Sequence, residues 1–364
     1  MKKTIFIALF ALVLSVWDLP CMAAEGEISA KAAIVYEPTT GTVLYEKSAD
    51  EPMLIASTTK IMTAMVVIEN CGLEEKVDVT MAHANTEGSS MYLRPGGDYT
   101  VKDLLYGLML ASGNDAAAAL AEHTAGSMEA FAELMNSKSR SLGLQNTHFV
   151  NSHGLDAEGQ YSSARDLALI TAEAMKNDFF SEVFATSHYN VNGVDYYNHN
   201  KLLSTCPGCI GGKTGYTEKA GRILVSCVER EGMCLICVTI SDPKDWEDHE
   251  KLYDKCFAES EFIPVLAKSE ALELASGQGK VGLECEKEAV VVTGGENVLV
   301  RLHLPRFVFP PVSAGDIAGF AELFIGNEPA QKLGIYYAQN VSAEGGVYLR
   351  PWDRAKNCVI RFGD

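Results

Sequence analysis

Positive charge is scarce in this sequence of 364 residues. It holds 30 lysines and arginines against 48 aspartates and glutamates, which gives a formal net charge of −18 at pH 7. No stretch rich in lysine or arginine offsets this imbalance. Such an acidic chain is repelled by the phosphates of nucleic acids and by anionic lipids. The composition therefore predicts a protein with no nucleic-acid partner and at most weak membrane association.

The N-terminal apolar run is too short to span a bilayer. The stretch from Ile5 to Val16 is only 12 residues long, whereas a membrane-spanning helix needs about 20. It follows Lys2 and Lys3 and precedes small residues near position 24, an arrangement typical of a secretory signal peptide. We therefore predict that residues 1–24 are a cleaved signal and that the mature chain is secreted and extracytoplasmic.

The cysteines do not form an evident metal motif. Cys206 and Cys209 have redox or zinc spacing, but no second cysteine pair or histidine pair completes a zinc site nearby. We therefore predict a structural or bystander role for this pair and no bound metal. Cys227 and Cys234 lie in apolar strand-like segments. A turn centred on residues 230 and 231 would place these two thiols opposite each other in a hairpin.

A change in sequence pattern near residue 265 divides the chain. Helical periodicity is common before this point, and short apolar runs separated by turn residues follow it. We predict an α+β domain over residues 25–265 and a small all-β domain over 266–364. The predicted helices are 54–70, Val101 to Leu110, Ala116 to His123, Ser127 to Leu142, Leu167 to Met175 and Trp246 to Phe257. The predicted strands are Ala33 to Tyr36, Thr42 to Tyr45, the segment around Lys213, 222–228, 233–241, Ala289 to Val292, Val298 to Leu302, Lys332 to Tyr337 and Cys358 to Phe362.

The first candidate for chemistry opens an apolar helix. Ser57 and Lys60 are three residues apart, so they lie on one helix face and the amine can reach the hydroxyl. A serine becomes a good nucleophile when a neighbouring base takes its proton, and burial can lower a lysine pKa enough for this task. The pattern is common, however, and equally fits a capping serine beside a solvated lysine.

Two further fragments follow in order along the chain. Ser112-Gly113-Asn114 lies between two predicted helices, where it could also serve as an ordinary helix end. Lys213-Thr214-Gly215 lies on a predicted strand, and Gly215 would let another backbone approach closely. His153 lies in a turn, and we interpret it as structural.

The ordered triplet resembles a known catalytic signature. S-x-x-K, S-x-N and K-T-G, in this order, are the motifs of penicillin-recognising serine acyltransferases. Segments 56–65, 108–117, 146–156 and 212–217 resemble, more narrowly, the serine D-alanyl-D-alanine carboxypeptidases among the low-molecular-weight penicillin-binding proteins. The resemblance covers about residues 28–260 and, less specifically, the β-rich tail. It implies a penicillin-binding, β-lactamase-like fold, with an antiparallel sheet and a helical subdomain, followed by a small β-sandwich.

The resemblance implies a reaction and three catalytic residues. Ser57 would attack the carbonyl between the two D-alanines of a peptidoglycan stem peptide, and Lys60 would take its proton. Ser112 would help protonate the leaving D-alanine, with Lys213 nearby, and water would hydrolyse the acyl-enzyme. β-Lactams would be the other ligands of the site. No metal or organic cofactor is implied.

The resemblance also implies the substrate-binding residues. Asn114 would hold the substrate backbone amide and orient Lys60, and Lys213 with Thr214 would bind the terminal carboxylate. Gly215 would permit close approach to the serine, and the backbone N–H of Tyr216 would join that of Ser57 in an oxyanion hole.

Three alternatives remain open from the sequence. A β-lactamase needs a water-activating carboxylate, and Asp156, Glu158 and Asp166 stand in no pattern that identifies one. A penicillin-binding sensor without turnover would need only the acylation step. A redox protein would use Cys206 and Cys209. The tail, residues 347–364, contains Pro351 and strand-like segments instead of the amphipathic helix that often ends family members, which also predicts weak membrane attachment.

Overall fold

The chain folds into helices packed around an antiparallel sheet, followed by a β-rich region. The computed structural model describes residues 28–266, 270–274, 279–295, 297–326 and 328–342. The helices are α1 (Thr59–Asn70), α2 (Met81–Ala84), α3 (Val101–Leu110), α4 (Asn114–Ala125), α5 (Met128–Ser141), α6 (Ala164–Ala174), α7 (Asp178–Ala185), α8 (Leu202–Thr205) and α9 (Asp245–Glu259). The strands are β1 (Ala32–Glu37), β2 (Thr42–Lys47), β3 (Lys76–Val77), β4 (Tyr99–Thr100), β5 (His188–Val191), β6 (Val194–Tyr197), β7 (Cys209–Thr217), β8 (Gly221–Arg230), β9 (Met233–Ile240), β10 (Ser260–Pro264), β11 (Ala271–Glu273), β12 (Lys280–Cys285), β13 (Ala289–Thr293), β14 (Val298–His303), β15 (Ile317–Ile325) and β16 (Glu328–Tyr337).

The central sheet is covered on both faces. Its strand order is β2-β1-β9-β8-β7, and all neighbours are antiparallel. Alternate side chains of a strand point to opposite faces. In β1, Ala32 and Ile34 join the core formed with α1, α3 and α4, whereas Ala33 and Val35 join the core against α9. The first four residues of β1 are therefore all apolar, as expected for a strand that is buried on both faces.

Helix α1 lies inside the helical part of the fold. Every residue from Thr59 to Val67 is buried. A helix that is apolar on all sides is stable only when it is surrounded by protein. The burial predicted for this helix is confirmed, and it carries Lys60 into a water-poor interior.

Side-chain caps begin helices α3 and α6. The side chain of Thr100 accepts the backbone N–H of Asp103 at 3.1 Å, and Asp103 accepts the backbone N–H of Thr100 at 2.9 Å, which completes the capping box of α3. Ser163 caps α6 by accepting the N–H of Asp166. The Asp166 carboxylate instead accepts the N–H of Asn146 and the hydroxyl of Thr147.

The β-rich region has its own core. Its five-stranded sheet has the order β11-β12-β16-β15-β14, and β10 pairs with β13. Their inward side chains form a separate apolar cluster that includes Val281, Leu323 and Ile335. Helices are absent from the described residues after Glu259, in agreement with the strand patterns of the sequence. The last predicted strand, Cys358 to Phe362, lies outside the described residues, as do the predicted signal peptide and the tail at 347–364.

The predicted register of the β8–β9 hairpin is wrong. Cys227 pairs with Ile236, and Cys234 pairs with Glu229. The prediction assumed a turn centred on residues 230 and 231, whereas Arg230 pairs directly with Met233 and leaves a two-residue turn. Glu231 and Gly232 both have positive φ, 51° and 80°, which is the geometry of a type I′ turn. Both cysteines are free thiols.

Within the described ranges, none of the helices combines the length and the apolar character that a membrane span requires.

Candidate active site

A strained turn presents Ser57 at the entrance to α1. Residues Ala56–Thr58 form a 3-10 turn directly before the helix. Ala56 has a φ of 45°, in the left-handed region that a side chain disfavours. A Cβ at Gly215 would lie 3.2 Å from the backbone N of Ser57. Strand β7 therefore runs tightly against the serine turn, which explains the glycine in the third motif.

Lys60 reaches three oxygen atoms from a fully buried position. Its Nζ lies 3.0 Å from Ser57 Oγ, 2.7 Å from Asn114 Oδ1 and 2.6 Å from the carbonyl oxygen of His153. A neutral amine has two N–H groups and one lone pair. When the two N–H groups donate to Asn114 and His153, the lone pair remains for the proton of the Ser57 hydroxyl. The contacts therefore suit a neutral lysine acting as a base.

The surroundings of Lys60 favour this neutral form. Burial, which disfavours the ammonium, is the main reason that the pKa of Lys60 lies well below its ordinary value, and the charge of Lys213 lowers it further. Asp115 opposes this shift. Burial also lowers the pKa of Lys213, to about 7. The site thus places two lysines in one low-dielectric pocket.

The second and third motifs meet at Ser112. The Nζ of Lys213 donates to Ser112 Oγ at 3.0 Å and to the carbonyl oxygen of Thr214 at 2.8 Å. Ser112 is buried and has a φ of 56°. Non-glycine residues in the left-handed region store strain of about 1–3 kcal/mol, and such positions cluster at functional sites. The two strained residues, Ala56 and Ser112, thus flank the same pocket.

Asn114 and Asp115 hold the loop at residues 87–93, which precedes α3, by hydrogen bonds. The Asn114 side chain accepts from Lys60 and donates to the carbonyl oxygen of Glu87 at 2.6 Å. The Asp115 carboxylate is fully buried and accepts the Ser90 hydroxyl together with the backbone N–H groups of Met91 and Leu93. The sequence did not indicate Asp115 as a site residue, although it fixes the loop that also contacts Asn114.

The comparisons with known proteins agree with this geometry. A family model described as D-alanyl-D-alanine carboxypeptidase, peptidase S11, matches residues 20–244. The D-alanyl-D-alanine carboxypeptidase DacF of Bacillus subtilis is 37% identical over 256 residues, which are 67% of this chain and 66% of that protein. The enzyme DacC of Escherichia coli is 32% identical over 358 residues, which are 90% of this chain and 87% of that protein.

The chain belongs to the D-alanyl-D-alanine carboxypeptidase family. The predicted enzyme class, a serine-type carboxypeptidase of the penicillin-binding proteins, is thereby confirmed.

Solved structures confirm the predicted α+β fold with its β-rich tail. Penicillin-binding protein 5 from Haemophilus influenzae has a TM-score of 0.69 and 26% identity, covering 87% of this chain and 98% of that chain. A variant of the Streptomyces K15 DD-transpeptidase has a TM-score of 0.61 and 36% identity, covering 64% of this chain and 98% of that chain.

The structure brings most of the predicted site residues of this carboxypeptidase together. Ser57, Lys60 and Asn114 form one hydrogen-bonded group, and Ser112 with Lys213 forms the second. Thr214 is half-buried next to Lys213. Tyr216 is 65% exposed, so only its backbone is a candidate for the oxyanion hole. The predicted roles of these residues remain proposals.

The segment around residue 153 contributes a partner that the sequence did not reveal. His153 was interpreted as structural, but its carbonyl oxygen accepts from Lys60. Its imidazole accepts the backbone N–H of Leu155, and burial together with the Lys60 charge lowers the pKa of His153 to about 4. Gly154 follows with a φ of 88°, and a Cβ there would lie 1.8 Å from the carbonyl oxygen of Ala56. Gly154 is visible in the sequence, but its contact with Ala56 joins segments that are far apart in the chain, so the sequence did not reveal it.

We predict that Gly154→Ala will impair the site far more than Gly159→Ala. Both glycines have left-handed φ values, 88° and 84°, so alanine meets a similar backbone cost of about 1–2 kcal/mol at either position. Only the Cβ at position 154 collides with the Ser57 turn, whereas at 159 it makes an ordinary 3.4 Å contact with Val150. Displacement of the serine should slow penicillin labelling by about tenfold to a hundredfold. Stopped-flow labelling of both variants checks this, and equal rates would refute it.

Proposed function

We propose that this protein removes the terminal D-alanine from peptidoglycan stem pentapeptides through an acyl-enzyme on Ser57. The observation that carries the proposal is the placement of the buried Lys60 amine. It has two acceptors for its N–H groups, on Asn114 and His153, and the Ser57 hydroxyl in the third direction. This arrangement provides a base at hydrogen-bond distance from the proposed nucleophile.

Acylation begins when Lys60 takes the Ser57 proton as Oγ attacks the penultimate D-alanine carbonyl. The carbonyl oxygen becomes negative, and the backbone N–H groups of Ser57 and Tyr216 stabilise it. The close packing of Gly215 on the nitrogen of Ser57 supports this pairing, because it brings the two backbones side by side. Donors fixed before the reaction stabilise an oxyanion without reorganising, which is a large term in acyl transfer.

Collapse of the tetrahedral intermediate breaks the peptide bond and releases D-alanine. Its amine needs a proton, and Ser112 supplies it with Lys213 hydrogen-bonded behind at 3.0 Å. Water then attacks the acyl-enzyme carbonyl and gives a proton back to the Ser112–Lys213 pair. The bond to Ser57 Oγ breaks, and Lys60 returns its proton to that oxygen, which regenerates Ser57. The pKa of Lys213, about 7, is well matched to proton exchange near neutral pH.

Strand β7 provides the binding surface for the substrate. It is an edge strand, paired on one side with β8, and an extended peptide can add to such an edge. Lys213 and Thr214 bind the free carboxylate, because an ammonium and a hydroxyl form charge-assisted hydrogen bonds with it. Asn114 holds the backbone amide of the substrate. Peptidoglycan lies outside the cytoplasmic membrane, so this function agrees with the predicted export and extracytoplasmic location.

A β-lactamase is supported less well. Fast deacylation needs a carboxylate free to activate water, and two of the three acidic candidates are engaged elsewhere. Asp156 accepts the Thr217 hydroxyl at 2.8 Å, and Asp166 accepts from Asn146 and Thr147. Comparing nitrocefin turnover with D-alanine release distinguishes the two activities.

The two remaining alternatives predict different behaviour. A sensor stops at the acyl-enzyme, so release of many D-alanines per chain would exclude it. A redox role needs a cysteine with a lowered pKa, whereas burial raises the pKa values of Cys206 and Cys209. Alkylation of these thiols without loss of carboxypeptidase activity would exclude the redox role.

We predict that benzylpenicillin will acylate Ser57 and that Ser57→Ala will abolish the adduct. Mass spectrometry of the intact protein gives the stoichiometry, and peptide mapping gives the position. Thr58→Ala is a control, because Thr58 neighbours the nucleophile but its hydroxyl donates to the carbonyl oxygen of Ile55. An adduct mapped to any residue other than Ser57 would overturn the assignment.

We predict that acylation will slow as the pH falls through the pKa of Lys60, because the protonated amine cannot accept a proton. The charge of Lys213 lowers this pKa. Replacing Lys213 by methionine removes that charge, so the pKa of Lys60 should rise and the acid limb should move to higher pH. The exposed Lys219 provides the control variant Lys219→Met. Penicillin acylation rates measured against pH check this, and an unmoved limb in Lys213→Met would contradict the coupling.

We predict that Lys213 recognises the substrate carboxylate. A hydrogen bond between an ammonium and a carboxylate contributes about 1.5–3 kcal/mol. Amidating Lys-D-Ala-D-Ala should therefore lower kcat/KM by roughly tenfold to a hundredfold. Wild type and Lys213→Ala are each assayed with the free acid and the amide. If Lys213 binds the carboxylate, the two changes are non-additive and the variant barely distinguishes the peptides. A variant that still strongly prefers the acid would show that the carboxylate is bound elsewhere.

A further inference from the structure

We propose that Cys71, Glu75 and His123 form a zinc site at the far end of α1. Cys71 follows the last residue of this helix, and His123 lies in the last turn of α4. Helix α1 has 12 residues, so it is about 18 Å long. The cluster therefore lies at the opposite end of the helix from Lys60 and is separate from the acyl-transfer site.

The ligand atoms are already close together. The Cys71 sulfur, a Glu75 carboxylate oxygen and a His123 ring nitrogen all lie within 4.8 Å of one another. His123 Nε2 and Glu75 Oε2 are 3.1 Å apart. Around a tetrahedral Zn²⁺, with ligands at about 2.0–2.3 Å, neighbouring ligand atoms are roughly 3.3–3.8 Å apart. Modest side-chain rotation is enough to reach this geometry.

The three donor types match zinc. Thiolate, imidazole and carboxylate are the side chains that bind Zn²⁺ in proteins, and a mixed sulfur, nitrogen and oxygen set disfavours calcium and magnesium, which prefer oxygen. Cys71 and His123 are half-buried, and Glu75 is exposed. One side of the cluster therefore faces solvent, where water completes a four-coordinate site. Binding releases the Cys71 thiol proton to solvent as the sulfur–zinc bond forms.

The surrounding backbone holds Glu75 in place before any ion binds. Its Oε1 accepts the backbone N–H of Gly72 at 2.6 Å, which leaves Oε2 toward His123. A Cβ at Gly72 would lie 2.9 Å from Oε1, so a larger residue there would shift the Glu75 carboxylate. The carbonyl oxygens of Glu75 and Leu73 accept N–H groups at the start of α3, each at 2.9 Å. Such outer contacts orient ligands and strengthen metal sites.

Zinc at this position would join the ends of two catalytic helices. Helix α1 begins next to Ser57, and α4 begins at Asn114. The two helices pack together. At the ends away from the cluster, Lys60 donates a hydrogen bond to Asn114. An ion that binds the folded state and not the unfolded chain stabilises the fold by an amount that rises with the logarithm of its concentration divided by its Kd. The expected effect is higher thermal stability with little change in acylation.

The test uses the purified, reduced, metal-free protein with Zn²⁺ or Co²⁺ alone as the probe. We expect one Zn²⁺ per chain, a rise in Tm with zinc, and a thiolate-to-cobalt charge-transfer band with Co²⁺. Cys71→Ser should remove the band and the Tm shift. Cys285→Ser is the matched control, because Cys285 is also a half-buried free thiol. His123→Gln should weaken zinc binding by more than the roughly 10–100-fold loss typical of outer-shell changes.

Penicillin labelling of each variant reports whether it is folded. If Cys71→Ser does not fold, His123→Gln gives the same comparison without altering the thiol. Failure of zinc to bind, or equal binding by wild type, Cys71→Ser and His123→Gln, would overturn the proposal. In that case the cluster is only a hydrogen bond between His123 and Glu75 beside a thiol–hydroxyl contact between Cys71 and Thr124.

Discussion

The burial of the Lys60 amine is the constraint on which the rest of the site depends. An ammonium in an apolar interior is costly unless it is paired, and a lysine there tends to become neutral. Lys60 is fully buried and has only neutral partners: a hydroxyl, an amide oxygen and a backbone carbonyl. A carboxylate in contact would have favoured the charged form. A neutral amine can accept a proton, which is the role proposed for Lys60.

This environment requires elements that are distant in sequence to meet at one amine. Lys60 comes from α1, Asn114 from the start of α4, and the His153 carbonyl from a loop. Gly154 allows that loop to contact the carbonyl oxygen of Ala56, and the buried sheet places β7 against the same turn. The strain at Ala56 and Ser112 persists because the surrounding core determines both positions. Catalytic geometry is therefore a property of the whole packed domain.

Local patterns in the sequence predicted the parts of this structure that depend on nearby residues. Helix α3 begins and ends at the residues that its periodicity predicted, Val101 and Leu110. The three motifs predicted Ser57, Lys60, Ser112, Asn114 and Lys213 as site residues, and the structure places these five in two hydrogen-bonded groups. The β8–β9 register was missed because a Glu-Gly pair is a weak signal for a type I′ turn. The contributions of Asp115 and the His153 carbonyl could not be predicted, since a backbone oxygen has no sequence signature and both contacts are long-range.

The two buried lysines also give the site a means of responding to its substrate. Lys213 has a pKa near 7, so its charge is sensitive to what lies beside it. A carboxylate nearby favours the ammonium form, and the charge on Lys213 lowers the pKa of Lys60. If Lys213 binds the terminal carboxylate as proposed, it stays charged in the complex. Its positive charge then opposes protonation of Lys60, to the extent that the ammonium lies nearer to Lys60 than the carboxylate does. Recognition of a free C-terminus and activation of Ser57 then follow from the same charge, which links exopeptidase specificity to the rate of acylation rather than to binding alone.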